Sequence, residues 1–273
     1  MKIHVPDFNL EATLDSGQVF GFTKLENRTY EGVIRNALVH LSQRDGCLTV
    51  DVKEGKLSEA AVQNFFDLNH NLSALYEILG TDTRLARAYQ AFKGLRIVRQ
   101  DPWEALACFI ISSNNNIKRI QKIRANLSRT FSVSALAFPK PEAIADRNEE
   151  ALRKLGLGYR APFLLEAAKK VARGQLSSNQ IQKMNYTESK AELMRFLGVG
   201  EKVADCTLLF GFQKYEAFPV DVWIHRVMKK LYFRNRRVSE RKVQEFSRKR
   251  WGQAAGYVQQ YLYHGAKSGI FEL

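Results

Sequence analysis

The chain has 273 residues, of which 45% are hydrophobic and 26% charged, so it can form two compact units and is not a disordered polypeptide. Its 42 Lys and Arg residues outnumber 28 Asp and Glu residues, and the net charge of +14 indicates a polyanionic partner: DNA, RNA or an anionic membrane. The N-terminus has no apolar signal region, and no stretch approaches the roughly 18 apolar residues of a membrane span. We therefore expect an intracellular protein, in the cytoplasm, nucleoid or nucleus.

The three cysteines, Cys47, Cys108 and Cys206, are far apart and odd in number, which argues against a disulfide framework. Three thiols are also too few to hold an iron–sulfur cluster through four thiolates. The five histidines show no paired spacing typical of metal ligands. We expect no metal and no other cofactor.

The first part of the chain has the pattern of an antiparallel sheet. Four short β segments are predicted, at 19–24, 29–34, 37–42 and 47–52, with turn signals at Arg35-Asn36 and Asp45-Gly46. From Ser58 onward the hydrophobic period is helical and strand patterns do not return. The fold class is therefore α+β, with a β-rich domain over about 1–95 and a helical domain over about 96–273.

Three helices can be placed by their apolar spacing. The first spans 117–131 with a basic outer face, and the second runs from about Tyr159 to Ala172. The third begins near Thr187 or Ser189, where Ser189 and Glu192 fit a capping box, and it stops at Gly198.

A helix-hairpin-helix is predicted over about 189–213, because two glycines two apart, Gly198 and Gly200, separate one helix from the next. Free N–H groups at the start of the second helix, around Val203, would bind a DNA phosphate. A plain turn between two helices has the same pattern, so the glycines alone do not decide between the two interpretations.

Lys202 and Cys206 share one face of the second helix, and Asp221 follows in the loop marked by Pro219. Spacing alone leaves two interpretations open. Lys202 is either a reactive amine or an ordinary solvated or phosphate-binding lysine. Likewise, Cys206 can be a small core residue and Asp221 a helix N-cap.

Several blocks of sequence resemble the 8-oxoguanine branch of the helix-hairpin-helix DNA glycosylases. The matching segments, in chain order, are Ser16–Gln18, Asp101–Ile117, Leu152–Ala161, Gly198–Cys206, Pro219–Val222 and Gly256–Tyr263. The similarity spans nearly the whole chain. It implies a TBP-like sheet domain before the helical domain and a protein that acts on double-stranded DNA containing 8-oxoguanine. Action as a monomer is the simplest expectation.

The resemblance also implies a chemistry. Lys202 matches the amine that attacks C1′ of the damaged nucleotide and forms a Schiff base, from which β-elimination cleaves the strand. Asp221 matches the family's aspartate, which stabilises the developing sugar cation. The alternatives are a monofunctional alkylpurine glycosylase that uses water, and a module that binds the DNA backbone without chemistry.

The damaged base has a predicted pocket by the same resemblance. Gly17 matches a glycine whose carbonyl accepts from N7–H, which 8-oxoguanine has and guanine lacks. Cys206 and Tyr263 match the two walls of the base pocket, and Gln259 matches the reader of the Watson–Crick edge. The family more usually has phenylalanine at Tyr263, and many relatives have histidine where this chain has Trp223.

The opposite cytosine also has predicted contacts. By family match Asn114 fills the space of the flipped base, Arg119 and Arg160 donate to cytosine, and Tyr159 inserts into the base stack. The eleven Lys and Arg residues between Arg226 and Arg250, against two acidic residues, predict a further DNA-facing surface.

Overall fold

The computed structural model describes residues 1–132 and 137–273. Five strands form one antiparallel sheet, in the spatial order β1, β5, β4, β3, β2. Their bounds are Lys2–His4 (β1), Phe22–Lys24 (β2), Tyr30–Ile34 (β3), Ala37–Arg44 (β4) and Cys47–Glu54 (β5).

The sheet confirms the predicted N-terminal β region and adds one strand to it. In β4 the buried Ala37, Val39 and Leu41 alternate with less buried neighbours, as expected of a strand with one face on the core. Asp45 and Gly46 both have positive φ, which is the geometry of the tight turn that joins β4 to β5. The unpredicted strand β1 has three residues, too few to produce a recognisable alternation.

The rest of the described chain is helical, which confirms the α+β class. In chain order, with α1 lying within the sheet region, the helices are α1 (Leu10–Leu14), α2 (Glu59–Phe65), α3 (Ser73–Thr81), α4 (Ala86–Phe92), α5 (Pro102–Ser112), α6 (Ile117–Phe131), α7 (Pro141–Ala145), α8 (Glu149–Leu152), α9 (Ala161–Ala172), α10 (Ser178–Lys183), α11 (Tyr186–Leu193), α12 (Glu201–Phe212), α13 (Val222–Tyr232), α14 (Glu240–Trp251) and α15 (Ala255–Lys267). The bounds of α6 agree with the prediction, while α9 begins two residues later than predicted.

The predicted capping box at Ser189 and Glu192 is wrong. Helix α11 begins earlier, with Asn185 as its N-cap and Glu188 as the reciprocal partner. Ser189 lies inside the helix, and its hydroxyl donates to the carbonyl oxygen of Ile181. The hairpin itself is present as α11 and α12, and Gln213 ends it in a left-handed conformation.

Two clusters of buried apolar side chains hold the fold together. One joins the sheet to α2 through residues such as Val62 and Phe66. The other fills the space among the helices from Leu72 to Phe271 and also includes Ala12 and Phe20. The buried amide of Gln18 links the N-terminal segment to the helical part. Its Nε2 donates to the carbonyl oxygen of Arg96 at 2.8 Å, and its Oε1 accepts from the N–H of Val98 at 2.8 Å.

Candidate active site

A cleft of about 1110 Å³ lies between the segment that contains Gly17 and the helices that follow α4. Ten of the residues predicted for chemistry, base binding, filling of the flipped base's space or phosphate contact line it: Gly17, Asn114, Gly198, Gly200, Lys202, Val203, Cys206, Asp221, Gln259 and Tyr263. These residues come from five separate stretches of the chain. Folding therefore brings together groups that are far apart in sequence.

The hairpin places Lys202 at the start of α12. Gly198 has φ +78°, and a Cβ there would lie 2.4 Å from Cδ2 of Phe163, so both its backbone conformation and its packing require glycine. Gly200 is the N-cap of α12 and brings no side chain to it, and a Cβ on Gly200 would meet no atom within 4 Å. The first N–H groups of α12 are therefore open to an anion.

The amine of Lys202 has two close neighbours from α5. Its Nζ lies 3.0 Å from Oγ of Ser112 and 5.2 Å from the centre of the Phe109 ring. Ser112 is ninety residues away in sequence and is the last residue of α5. The helix end and the aromatic face thus hold the amine against one wall of the cleft.

Asp221 is the N-cap of α13, as predicted. Its Oδ1 accepts a hydrogen bond from the N–H of Ile224 at 2.8 Å. Burial raises the pKa of this carboxyl above its ordinary value, although that N–H and the charge of Lys202 act in the opposite direction. The cleft therefore holds an amine and a partly desolvated carboxyl near each other.

Cys206 and Tyr263 form further parts of the wall. Burial raises the pKa of the Cys206 thiol to about 12, so this side chain is neutral and acts as a small apolar surface. Tyr263 packs against Gly17: a Cβ on Gly17, where φ is +75°, would lie 3.0 Å from Cε1 of the tyrosine ring. Burial also raises the pKa of the Tyr263 hydroxyl.

Gln259 is buried and anchored on the loop before Asp221. Its Nε2 donates to the carbonyl oxygen of Pro219 at 3.2 Å, and its Oε1 accepts from Nε2 of Gln260 at 2.8 Å. Trp223 also lines the cleft, with Nζ of Lys267 4.9 Å from its ring centre.

Arg119, Tyr159 and Arg160 lie beside the cleft and not in its lining. Arg160 is buried, and its guanidinium donates to the carbonyl oxygens of Ser113 and Asn114. The hydroxyl of Tyr159 donates to the carbonyl oxygen of Ser113 as well, and the residue is 48% exposed. Arg119 is exposed and donates through Nη2 to the carbonyl oxygen of Gly156 at 3.3 Å.

Two models of known families match the chain. The N-terminal domain of 8-oxoguanine DNA glycosylase matches residues 1–106, and the HhH-GPD superfamily of base excision DNA repair proteins matches residues 107–253. The chain belongs to the 8-oxoguanine DNA glycosylase family of the HhH-GPD superfamily.

Relatives of this family member match over most of its length. A probable N-glycosylase/DNA lyase of Methanothermobacter thermautotrophicus is 33% identical over 312 positions, which cover 100% of this chain and 98% of the relative. An N-glycosylase/DNA lyase of Arabidopsis thaliana is 30% identical over 83% of this chain and 67% of its own.

A solved structure agrees with the fold of this glycosylase family member. The 8-oxoguanine glycosylase/lyase of Clostridium acetobutylicum, in complex with double-stranded DNA containing cytosine opposite 8-oxoguanine, is 32% identical. The match has a TM-score of 0.90 and covers 97% of this chain and 93% of that chain.

Several residues that line the cleft have no role predicted from the sequence, among them Phe20, Phe109, Ser112 and Gln260. Ser112 and Gln260 stand beside residues that were singled out, but only the fold shows which side chains they contact. In the described ranges, 1–132 and 137–273, no group of three or more His, Cys, Asp or Glu side chains could hold a metal ion. Over the same ranges, no helix combines the length and apolarity that crossing a bilayer requires.

Proposed function

We propose that this protein removes 8-oxoguanine from duplex DNA with Lys202 as the nucleophile and then cleaves the strand at the resulting abasic site. The observation that carries the proposal is the amine of Lys202 at the wall of a cleft that also holds Asp221 and Cys206. The family to which the chain belongs supports the same reaction, since its relatives bear the name N-glycosylase/DNA lyase.

In the first step Nζ of Lys202 forms a bond to C1′ of the flipped nucleotide while the bond from C1′ to N9 of the base breaks. The electron pair leaves with the base, which takes up a proton. Positive charge develops on the sugar, and the carboxylate of Asp221 stabilises it across the cleft. An amine attacks only in its neutral form, so Lys202 first passes a proton to water, and water supplies the proton that the leaving base takes up.

In the second step the bond between C1′ and O4′ breaks, O4′ takes up a proton and the nitrogen loses one, so that the carbon–nitrogen bond becomes an imine. Loss of a proton from C2′ then expels the phosphate at C3′, which cleaves the strand by β-elimination. Water finally hydrolyses the imine and frees Lys202. Each step uses only groups of the DNA, water and side chains that line the cleft.

Recognition of the lesion depends on Gly17. The carbonyl oxygen of this residue accepts a hydrogen bond from N7–H of 8-oxoguanine, whereas guanine would present a lone pair there and leave two acceptors facing each other. Cys206 and Tyr263 enclose the base between two apolar surfaces, and Gln259 contacts its Watson–Crick edge. The packing of Gly17 against Tyr263 supports one continuous pocket.

The strand opposite the lesion contacts a second group of residues. Asn114 fills the space left by the flipped nucleotide, Arg119 and Arg160 donate to the opposite cytosine, and Tyr159 separates the neighbouring bases. The exposure of the Tyr159 ring supports its role as a wedge. Bonds to the carbonyl oxygens of Ser113 and Asn114 hold the guanidinium of Arg160 beside Asn114, which supports a shared role of the two residues at the opposite base.

The DNA backbone binds at the hairpin, through N–H groups of the segment that includes Gly198, Gly200 and Val203. The basic residues of α13 and α14 extend this contact, except where they stabilise the fold. Arg250 pairs with Asp82, and Lys230 donates to backbone carbonyls near the C-terminus. We assign the lesion pocket to both of the proposed domains, 1–95 and 96–273, and we expect a monomer acting inside the cell.

Borohydride trapping tests the proposal. Sodium borohydride reduces a Schiff base to a stable amine, so the protein should become covalently linked to a duplex that carries 8-oxoguanine opposite cytosine. Lys202→Gln should abolish the adduct and the release of the base. Lys118→Gln changes another lysine that lines the same cleft and should leave the adduct in place.

A different result would point to one of the alternatives. Release of the base without any adduct would mean that water attacks, as in a monofunctional alkylpurine glycosylase. Salt-sensitive binding without release would mean that the protein is a module that only binds the DNA backbone.

A further inference from the structure

Two neighbouring glutamines on α15 form a chain of amide groups that starts at the loop before Asp221. Nε2 of Gln259 donates to the carbonyl oxygen of Pro219 at 3.2 Å, and Nε2 of Gln260 donates to Oε1 of Gln259 at 2.8 Å. Both glutamines line the cleft, and Gln260 is only 3% exposed. Among the described residues, Oε1 of Gln260 has no hydrogen-bond partner.

A single backbone carbonyl sets the direction of this chain. The carbonyl oxygen of Pro219 can only accept, so the amide of Gln259 must turn its nitrogen toward the loop. Oε1 of Gln259 then faces Gln260, which must in turn present its own nitrogen. The hydrogen bonds therefore fix the orientation of both amides, because each position accepts only an oxygen or only a nitrogen.

Among the described residues, these two bonds leave one N–H and one lone pair of the Gln259 amide without a partner. An amide nitrogen carries two N–H groups and an amide oxygen two lone pairs, and Pro219 and Gln260 each use one. One donor and one acceptor remain for a ligand. That pair matches the edge of a guanine-type base, where O6 accepts and N1–H donates, and mismatches the adenine-type edge, where the 6-amino group donates and N1 accepts.

We propose that Gln260 is a positioning residue that holds the carboxamide of Gln259 in the orientation that reads a 6-oxopurine and rejects a 6-aminopurine. The proposal rests on the function proposed above, with Gln259 as the residue that contacts the Watson–Crick edge. Without Gln260, the amide is held at one end only, and Oε1 of Gln259 becomes a buried acceptor that rotation of the amide can satisfy elsewhere. Gln259 then no longer presents its donor and its acceptor to the base in one fixed order.

A variant of similar size tests the role of the amide. Gln260→Met should slow the single-turnover release of 8-oxoguanine by about fivefold to tenfold, the effect of one buried hydrogen bond. Cleavage of a preformed abasic site needs no base contact, so the ratio of base release to abasic-site cleavage should fall by that factor. The release of 8-oxoadenine relative to 8-oxoguanine should rise. An equal fall in base release and abasic-site cleavage would overturn the proposal.

A second variant adds a readout that a purely structural role would not move. In Gln260→Glu the introduced carboxyl is buried, which raises its pKa, and while protonated it donates to Oε1 of Gln259 as the amide does. At a pH of about 6, the ratio of base release to abasic-site cleavage should therefore equal that of the unsubstituted protein at the same pH. Once ionised, the carboxylate faces the lone pairs of Gln259, and the ratio should fall. A ratio that is restored at no pH would contradict the proposal.

A matched control separates this effect from loss of stability. Gln244 is another glutamine with 3% exposure, but it lies outside the cleft lining and donates to Asp205 at 2.7 Å. Gln244→Met should lower the melting temperature without changing the ratio. If the unsubstituted protein releases 8-oxoguanine and Gln260→Met keeps the full ratio, only the role of Gln260 is refuted. If the unsubstituted protein cleaves abasic DNA but releases no 8-oxoguanine, the proposed function itself is refuted.

Discussion

Lys202 and Ser112 meet through their side chains, with Nζ of the lysine 3.0 Å from the hydroxyl oxygen. The hydroxyl proton of Ser112 is already donated to the carbonyl oxygen of Phe109 at 2.7 Å. Ser112 therefore accepts from the amine and does not donate to it. One N–H of Lys202 is therefore directed at Ser112, and the nitrogen stays within the cleft.

Replacing Ser112 should slow both the release of the base and the cleavage of the strand. Ser112→Ala removes the acceptor that orients Nζ, and we expect a loss of about tenfold in single-turnover rates, the effect of one hydrogen bond to a charged or reacting group. Because the amine also cleaves abasic sites, that activity should fall by a similar factor. Ser113→Ala is the control, since Arg160 and Tyr159 bind the backbone carbonyl of Ser113, which the substitution keeps. Equal rates for Ser112→Ala and Ser113→Ala would refute the contact's role.

Asp221→Asn should separate the charge of this residue from its helix cap. Asparagine is as good an N-cap as aspartate, so α13 should keep its start. The developing positive charge on the sugar loses its carboxylate, and we expect base release to slow by about 10²-fold to 10³-fold, as when one electrostatic contact to a transition state is removed. Base release measured in a single turnover would check this, and a rate within threefold of the unsubstituted protein would refute it.

The same substitution should stabilise the protein at neutral pH. Burial raises the pKa of Asp221 in the folded state, so folding favours the protonated carboxyl. The contribution of the protonated Asp221 carboxyl to stability is complete below its ordinary pKa of about 3.9. It is lost as the pH rises through the raised pKa of the folded state. Asp221→Asn carries no charge, so its free energy of unfolding should exceed that of the unsubstituted protein at pH 7. Urea denaturation at pH 7 and at pH 4 should show that this gain shrinks in acid.

Gly17→Ala should impair base release more than stability alone explains. A Cβ at this position meets Tyr263, and the positive φ of +75° is strained for alanine by about 1–2 kcal/mol. Gly174 has φ +68° with no atom within 4 Å of a Cβ, so Gly174→Ala carries the backbone strain without the contact. We expect both variants to melt at lower temperature, but only Gly17→Ala to release 8-oxoguanine slowly. Equally slow release by both would argue against a role for the carbonyl of Gly17.

Arg119→Ala should relax the choice of opposite base. A good pair of hydrogen bonds to a base contributes about 1–3 kcal/mol of discrimination, so release opposite adenine relative to cytosine should rise by about tenfold or more. Arg129 is exposed on the same helix and donates to Oδ1 of Asn126, which makes Arg129→Ala the matched control. Base release from four duplexes, with each base opposite the lesion, measures the ratio. If Arg119→Ala leaves the ratio of release opposite adenine to release opposite cytosine unchanged, Arg119 takes no part in the recognition of cytosine.

The parts of the fold that were predicted correctly depend on local sequence. The alternation in β4, the apolar stripe of α6 and the cap at Asp221 each follow from residues within a few positions of one another. The capping box of α11 was misplaced because Ser189 and Glu192 satisfy the same local pattern as Asn185 and Glu188. In the fold Asn185 and Glu188 make the reciprocal capping bonds, whereas the Ser189 hydroxyl donates to the carbonyl oxygen of Ile181, eight residues earlier.

The contacts that complete the cleft could not be predicted, because their partners are far apart in sequence. The pairing of Lys202 with Ser112 and the attachment of Gln259 to Pro219 depend on how α5, α12 and α15 pack. The contacts of Arg160 could not be predicted from the sequence either. The resemblance assigns it to cytosine, whereas in the DNA-free fold its guanidinium binds the carbonyls of Ser113 and Asn114.

Gly17 belongs to a different stretch of the fold from Lys202 and Asp221, and Gln18 attaches it to the helical part. Under the proposed roles, the group that distinguishes the damaged base and the groups that break its bond are inherited in separate pieces of chain. Substitutions near Gly17 can therefore shift the range of lesions that are accepted while the reaction stays the same. Changes in the N-terminal segment can thus alter which lesions are accepted, while Cys206, Gln259 and Tyr263 keep their contacts with the base and Lys202 keeps the reaction.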